Sequence, residues 1–306
     1  MGKVDRLQMY PMSFIEFLEA GGKDNWLQSL ASRPLDEPLA NYIYDPLEKM
    51  YQQYLIVGGM PEVVKTWWKT QDLAQVSEIQ DQILYGYEND FAKYAPPRER
   101  FNIETIWHSI PQQLAKDNNK FVFSHVKKSA RAKDLEASLH WLNDAGLIHI
   151  LKKVEQAQIP LSAFADSSYY KVYMSDTGLL ARRANFTYAS LIKAEDRSGN
   201  FPGSLTENYV LNELINQNRT PFYWRSGNTA ELDFIVEDKG RVIPIEAKTR
   251  LNTQAKSYKV FVRRYPTEIG FKYSLKNIGV NHVLQTKTYS LPLFVIYRLE
   301  EYLRAP

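Results

Sequence analysis

Cysteine is absent from the 306-residue chain, which excludes disulfide cross-links, thiolate nucleophiles and the usual cysteine-based zinc sites. No stretch approaches the ~18 unbroken apolar residues of a membrane-spanning helix; the best, Leu291 to Tyr297, is only strand length. The opening MGKVDRLQMYP lacks the apolar centre of a secretion signal. The expected location is therefore cytoplasmic, with no membrane partner. A large charge of one sign is also missing. The 38 Lys and Arg against 35 Asp and Glu leave +3, so only local clustering of charge argues for a polyanionic partner. His108, His125, His140, His149 and His282 show no metal-ligand spacing. Neither a Gly-x-Ser-x-Gly elbow nor a dinucleotide fingerprint occurs. Gly22 and Lys23 resemble the end of a phosphate loop, but Phe17 replaces its first Gly and Asp24 its Ser or Thr. The chain thus has no Walker A motif, and no ATPase activity is expected from it. There is no fixed-period repeat or low-complexity tract, which sets solenoids aside.

What is present is the composition of a folded protein: 44% hydrophobic, 13% aromatic and 24% charged residues, with a mean hydropathy of −0.42. The length suits two domains, or three small ones. To about Tyr94 the pattern is helical. Ser13 and Glu16 have capping-box spacing ahead of Phe17 and Leu18, and Gly21 and Gly22 supply a stop. After a proline-rich loop through Pro34, Pro38 and Pro46, helices are expected over Pro46 to Val57, Pro61 to Lys69 and Asp72 to Tyr94. Pro96 and Pro97 break the run. From Asn102, the apolar residues Ile103, Ile106, Trp107, Ile110 and Leu114 mark a helix ending near Asp117 to Asn119. A short helix follows within Phe121 to Lys128, with Ser124 as its cap. A further helix spans Arg131 to Asp144. Two strands then run over Leu147 to Val154 and Tyr169 to Ser175. Helix, short helix, helix and hairpin is the layout of a winged helix-turn-helix.

The last third reads as a helix over Ser204 to Asn216 and strands at Phe222 to Arg225, Glu231 to Val236 and Val242 to Lys248. Another helix covers about Gln254 to Arg264, and closing strands lie near Gly270 to Tyr273 and Leu293 to Tyr297. Gly240 is the turn residue between the second and third strands, and Pro244 argues against a central position for the third. The expected fold is α+β and multidomain.

Strand periodicity puts Glu246 and Lys248 on one face and Ile243, Ile245 and Ala247 on the other. It also gives Leu232, Phe234 and Val236 an apolar face and leaves Asp233 with Glu231 on the polar one. The short connection makes the two strands antiparallel neighbours, so Asp233 comes close to Glu246. Glu207 from the helix adds a third carboxylate, giving an oxygen-donor cluster suited to Mg²⁺ or Mn²⁺. Asp233 and Glu246 are the expected metal ligands. Lys248 would position a nucleophile or stabilise a phosphodiester transition state. Two plainer readings stand beside this one. Ser204 and Glu207 themselves have capping-box spacing, and Asp233, Glu246 and Lys248 suit a solvated cross-strand charge cluster. Glu213 is a second acidic residue on the same helix.

Lys120, Lys127, Lys128, Arg131 and Lys133 follow one another with no acidic residue between Lys120 and Lys133. They fall at the turn and start of the candidate recognition helix, where Lys and Arg neutralise phosphates. Lys127, Lys128, Arg131 and Lys133 are the candidate nucleic-acid contacts, and Lys152 and Lys153 would extend them along the wing. A basic face used for protein contacts is the alternative.

An acidic residue, then Asp, then Glu-x-Lys on adjacent strands resembles the PD-(D/E)XK nuclease superfamily, here without the Pro that some members carry before the Asp. That resemblance makes Glu207 the first-helix acid and Glu207, Asp233, Glu246 and Lys248 the catalytic set. Longer stretches, among them YLIVGGMPEVV, YENDFAKYA, KVYMSDTGLLA, GSLTENYVLNEL and VIPIEAKT, resemble the prokaryotic predicted AAA-superfamily ATPases that carry a C-terminal domain of unknown function. The resemblance implies a helical AAA remnant at 1–96, a winged helix-turn-helix at 97–195 and a restriction-endonuclease-like domain at 196–306. It further implies that the chain begins after the ATPase strands, as a truncated product, a fragment or an incomplete gene model. ATP is then a ligand only of full-length relatives. DNA is the expected partner, a protein partner or oligomer is left open, and a non-catalytic regulatory module is the other reading.

Overall fold

The computed structural model describes residues 7–116, 119–128, 131–194, 200–227, 230–249 and 256–304. Expectations resting on Met1 to Val4, Asp117, Asn118 and Gln254 lie outside these residues.

The chain opens with helices α1 (Phe14–Ala20), α2 (Asp24–Ala31), α3 (Asn41–Val57), α4 (Pro61–Thr70) and α5 (Leu73–Tyr94). The α1 capping box forms as the spacing predicts: the Glu16 amide donates to Ser13 Oγ, and Glu16 Oε2 accepts from the Ser13 amide at 2.7 Å. α2 lies where a loop was expected. Helices α6 (Arg100–Leu114), α7 (Phe123–Val126) and α8 (Ala132–Asp144) lead into β1 (Ile148–Val154) and β2 (Ala165–Met174). This is the expected order of helix, short helix, helix and hairpin. All five apolar residues read from the α6 period are buried. Ser124 falls inside α7, whose cap position is Val122 and carries no side-chain cap.

Two helices that the sequence did not announce follow, α9 (Thr177–Arg183) and α10 (Tyr188–Ala194). Buried Asp176 builds the start of α9. Its carboxylate accepts from the Leu179 amide at 2.8 Å and the Gly59 amide at 2.6 Å, which fastens α9 to the end of α3. No side chain fits in that contact, since a Cβ on Gly178 would lie 2.3 Å from the Val57 carbonyl oxygen. The SDTGLL and VGGMP segments are therefore two halves of one joint.

The rest comprises α11 (Asn200–Asn216), β3 (Phe222–Ser226), β4 (Ala230–Asp238), β5 (Arg241–Ala247), α12 (Lys256–Arg264), β6 (Ile269–Ser274), β7 (Gly279–Val283), β8 (Thr286–Pro292) and α13 (Leu299–Arg304). The fold is α+β, with one mixed eight-stranded sheet in the order β2-β1-β3-β4-β5-β6-β8-β7. Lys239 and Gly240 both have positive φ and join β4 to β5 in a two-residue turn, the geometry that favours Gly. Pro244 nevertheless sits in an interior strand. The parallel pairing of β5 with β6 begins at Ile245, one residue beyond the missing N–H. The expected strand at Leu293 to Tyr297 is instead a 3₁₀ segment, Leu293–Arg298, leading into α13. Five of its six residues are buried, and an apolar run buried on every side carries no period to read.

The β1–β2 hairpin belongs to the same sheet as the last third, because Lys153 and Val154 of β1 pair in parallel with Tyr223 and Trp224 of β3. One apolar core runs from Phe14 to Leu303, and a smaller one lies under α12. Tyr223 packs in the first while Phe222 and Trp224 pack in the second, so the two cores cover opposite faces of the sheet. The N-terminal helices also grip the end of the chain. Buried Arg298 donates to the carbonyls of Leu30 (2.7 Å) and Arg33 (3.2 Å), and Asn277 exchanges two hydrogen bonds with Leu39.

Candidate functional site

The candidate acidic cluster forms where β4 and β5 part. Phe234 pairs with Ile245, which carries Asp233 toward the Glu246 end of β5. There Asp233 Oδ2 accepts from the Ala247 amide at 2.8 Å. The expected strict alternation of β4 fails at this point. The pairing with β3 slips by one residue between Phe222 and Trp224, so Leu232 packs under α12 while Phe234 and Val236 pack in the main core. A β-bulge of this kind re-aims side chains beside it, and Asp233 is the side chain in the slip.

Lys248 Nζ lies 2.7 Å from Glu246 Oε1 and 3.5 Å from Asp233 Oδ2, so one ammonium group bridges both proposed metal ligands. Asp233 and Glu246 are buried, at 7% and 2% exposure, which overturns the solvated-cluster reading. Glu246 Oε2 is shut away from solvent and has no hydrogen-bond partner among the described residues. Burial, then the neighbouring Asp233 charge, pushes the Glu246 carboxyl up to about 8. Burial also raises Asp233, against the pull of Lys248. The Lys248 ammonium is held above its ordinary value, first by Asp233 and then by Glu246.

Glu207 is not a helix-capping residue. α11 begins at Asn200, a full turn before Ser204, and the Ser204 hydroxyl donates to the carbonyls of Leu114 and Asn200. Glu207 instead points toward β2. Its Oε2 accepts from Lys171 Nζ at 3.2 Å and from the Tyr173 hydroxyl. Lys171 also pairs with Glu231 Oε1 at 2.8 Å. Burial alone would raise Glu207, but Lys171, the Tyr173 hydrogen bond and Lys248 together hold it below the usual carboxylate range. Lys171 and Tyr173 are site residues that the sequence reading missed. The available signal was a Lys at alternate spacing with Tyr in the otherwise apolar end of β2.

The cluster thus has four carboxylates, from Glu207, Glu231, Asp233 and Glu246, against the two ammonium groups of Lys171 and Lys248. All the candidate ligands are oxygens, the donor type that a hard cation takes. Among the described residues no three His, Asp or Glu groups converge on one point. The Lys248 ammonium takes the place between Asp233 and Glu246.

Glu213, the other acid of α11, lies apart. It accepts from the Phe14 amide at 2.9 Å, at the start of α1. Burial is the largest influence on its carboxyl and raises it from 4.5 to about 7. A carboxyl raised by folding favours the protonated native state, so its contribution is complete below pH 4.5 and is lost as the pH rises to about 7. The urea midpoint should therefore decline between pH 4.5 and 7, and Glu213→Gln should flatten that part of the profile. An unchanged slope in the variant would assign the dependence elsewhere.

The candidate DNA contacts Lys127, Lys128, Arg131 and Lys133 are all exposed, at the end of α7 and the start of α8. Lys153 is not among them. It is buried and paired with Glu155 (2.9 Å) and Asp166 (3.0 Å), because its strand lies inside the sheet. Lys152 alone of that pair is exposed.

Two family models match the chain, each described as a domain of unknown function: DUF8612 over residues 48–190 and DUF4143 over residues 202–295. The acidic cluster draws on both matches. Lys171 and Tyr173 fall in the DUF8612 match, and Glu207, Asp233, Glu246 and Lys248 fall in the DUF4143 match. No curated protein and no solved structure matches the chain. Among the described residues no helix is long and apolar enough to cross a membrane.

Proposed function

We propose that the chain is the DNA-binding and nuclease-like portion of an AAA-family ATPase-like protein. In this reading 1–96 is a helical AAA remnant, 97–195 a winged helix-turn-helix and 196–306 a PD-(D/E)XK-like unit that hydrolyses phosphodiesters with Mg²⁺ or Mn²⁺. Domains of the DUF4143 kind commonly accompany AAA ATPases, which favours this context. The observation that carries the catalytic reading is the meeting of buried Asp233 and Glu246 with part-exposed Lys248, with a Glu246 oxygen unpaired among the described residues.

Asp233 and Glu246 would hold the cation. Bound there, it would neutralise phosphate charge and acidify water. Lys248 would turn from its two carboxylates toward the attacking water and the phosphoryl oxygens. Glu207, steadied by Lys171 and Tyr173, would complete the shell through water. Exposed Lys127, Lys128, Arg131 and Lys133 would neutralise the backbone of duplex DNA beside α8.

A non-catalytic regulatory module with a degenerate nuclease fold is favoured by one observation: each carboxylate of the set already has an ion-pair or hydrogen-bond partner. Calorimetric titration with Mg²⁺ and Mn²⁺, followed by a DNA cleavage assay, separates the two. The chain should take up metal and cleave, and Asp233→Asn/Glu246→Gln should do neither while remaining folded. Cleavage that survives the double variant would sink the site; absence of uptake and cleavage in both would leave the regulatory module.

A further inference from the structure

The positive charge of the chain is concentrated in one segment. Residues 93–133 carry nine Lys and Arg against three Asp and Glu, a balance of +6 in a chain whose whole balance is +3. The rest is therefore net acidic. Most of the excess lies in residues 116–133, with six Lys and Arg against one Asp, and the corner between α5 and α6 adds Lys93, Arg98 and Arg100, all exposed, against Glu99 and Glu104.

That corner adjoins the start of α8. Asn102 Nδ2 donates to the Asp134 carbonyl at 3.2 Å, and the Ser138 hydroxyl donates to Glu99. The corner also carries two large exposed aromatics, Tyr94 at 62% and Phe101 at 65%, on either side of the Pro96–Pro97 turn. Neighbouring aromatics are used in packing. Phe91 and Trp107 are buried edge to face at 5.9 Å. Tyr94 and Phe101 present their rings to solvent instead, with Lys93 Nζ 4.7 Å from the Tyr94 ring centre. Arg100 is paired with Glu104 at 2.9 Å, Lys93 is the cation over the Tyr94 ring, and exposed Arg98 lies between the two aromatics in the chain.

Exposed rings among cations are what unstacked bases require: every base has a face to stack, and the cations follow the backbone. Paired bases of a duplex are already stacked and offer no such face. We infer that the α5–α6 corner binds single-stranded DNA immediately beside duplex held by α8, so that the chain prefers a duplex with a single-stranded overhang to a blunt duplex. This inference rests on the DNA-binding reading of α8 and adds the form of DNA.

The test is fluorescence anisotropy with a blunt duplex and the same duplex carrying a single-stranded extension, at fixed salt. The chain should bind the extended probe roughly tenfold more tightly, the equivalent of about 1.4 kcal/mol. Tyr94→Ala/Phe101→Ala should abolish that preference and leave blunt-duplex affinity within about twofold. Lys127→Ala/Lys128→Ala should weaken both probes and keep their ratio. Both pairs of side chains are exposed, so folding should survive, as thermal melts of each variant will check. Equal affinity for the two probes, or a preference that persists in the aromatic variant, overturns this inference alone. Binding of neither probe by the unaltered chain overturns it together with the DNA-binding reading.

Discussion

Lys171→Met should cost roughly 3–5 kcal/mol of folding stability, the usual penalty for removing one partner of a buried ion pair. Lys171 is 2% exposed, and its ammonium lies 2.8 Å from Glu231 and 3.2 Å from Glu207. The two carboxylates are not equally affected by its loss. The Glu231 side chain is about a quarter exposed and Glu207 only 15%, so water compensates Glu231 better, and most of the penalty falls on Glu207. The second replacement Glu207→Gln should therefore restore much of the loss, since a neutral amide needs no counter-charge. Urea denaturation of the single and double variants measures both terms. A loss below about 1 kcal/mol would mean that Lys171 behaves as a surface pair and does not steady Glu207.

Lys171 also marks the boundary of what the sequence discloses. The β4–β5 hairpin was legible because Gly240 signals the turn and alternation places Glu246 with Lys248. The proximity of Asp233 followed from the same two facts. Lys171 and Tyr173 reach the cluster only because β1 pairs with β3, a parallel contact across α9, α10 and α11 that no local period announces. The β7–β8 hairpin was missed for a different reason. Its two-residue turn is Leu284 and Gln285, with Leu284 at φ 57° where a sequence reading looks for Gly or Asn. The slip in β4 was hidden as well, since Leu232, Phe234 and Val236 look like one face and pack on two. α9 is short, and its start depends on Asp176 meeting Gly59, more than a hundred residues away.

Lys248→Met should separate metal uptake from cleavage. In the metal-free chain the Lys248 ammonium neutralises Asp233 and Glu246 at 3.5 and 2.7 Å, and a divalent cation must compete with it for the same oxygens. At about pH 9, above the value of about 8 to which Glu246 is raised, removing the ammonium leaves two buried like charges close together, an arrangement that raises one carboxyl further and that a divalent cation relieves. Mg²⁺ affinity should therefore rise roughly tenfold in the variant, the worth of about 1.4 kcal/mol of lost competition. Cleavage should nevertheless fall by roughly 10²–10³-fold, because a cation aimed at the developing phosphate charge has been lost. A regulatory module predicts neither change, since its lysine would only balance charge. Glu246→Gln supplies the control: with one carboxylate neutral, Lys248 has less to neutralise and the cation one ligand fewer, so uptake should weaken whether or not Lys248 is kept. Calorimetry at matched pH, paired with a cleavage assay, gives both readings. If Lys248→Met left metal affinity unchanged and cleavage intact, Lys248 would be a spectator beside Asp233 and Glu246, and the nuclease assignment would have to rest on other residues.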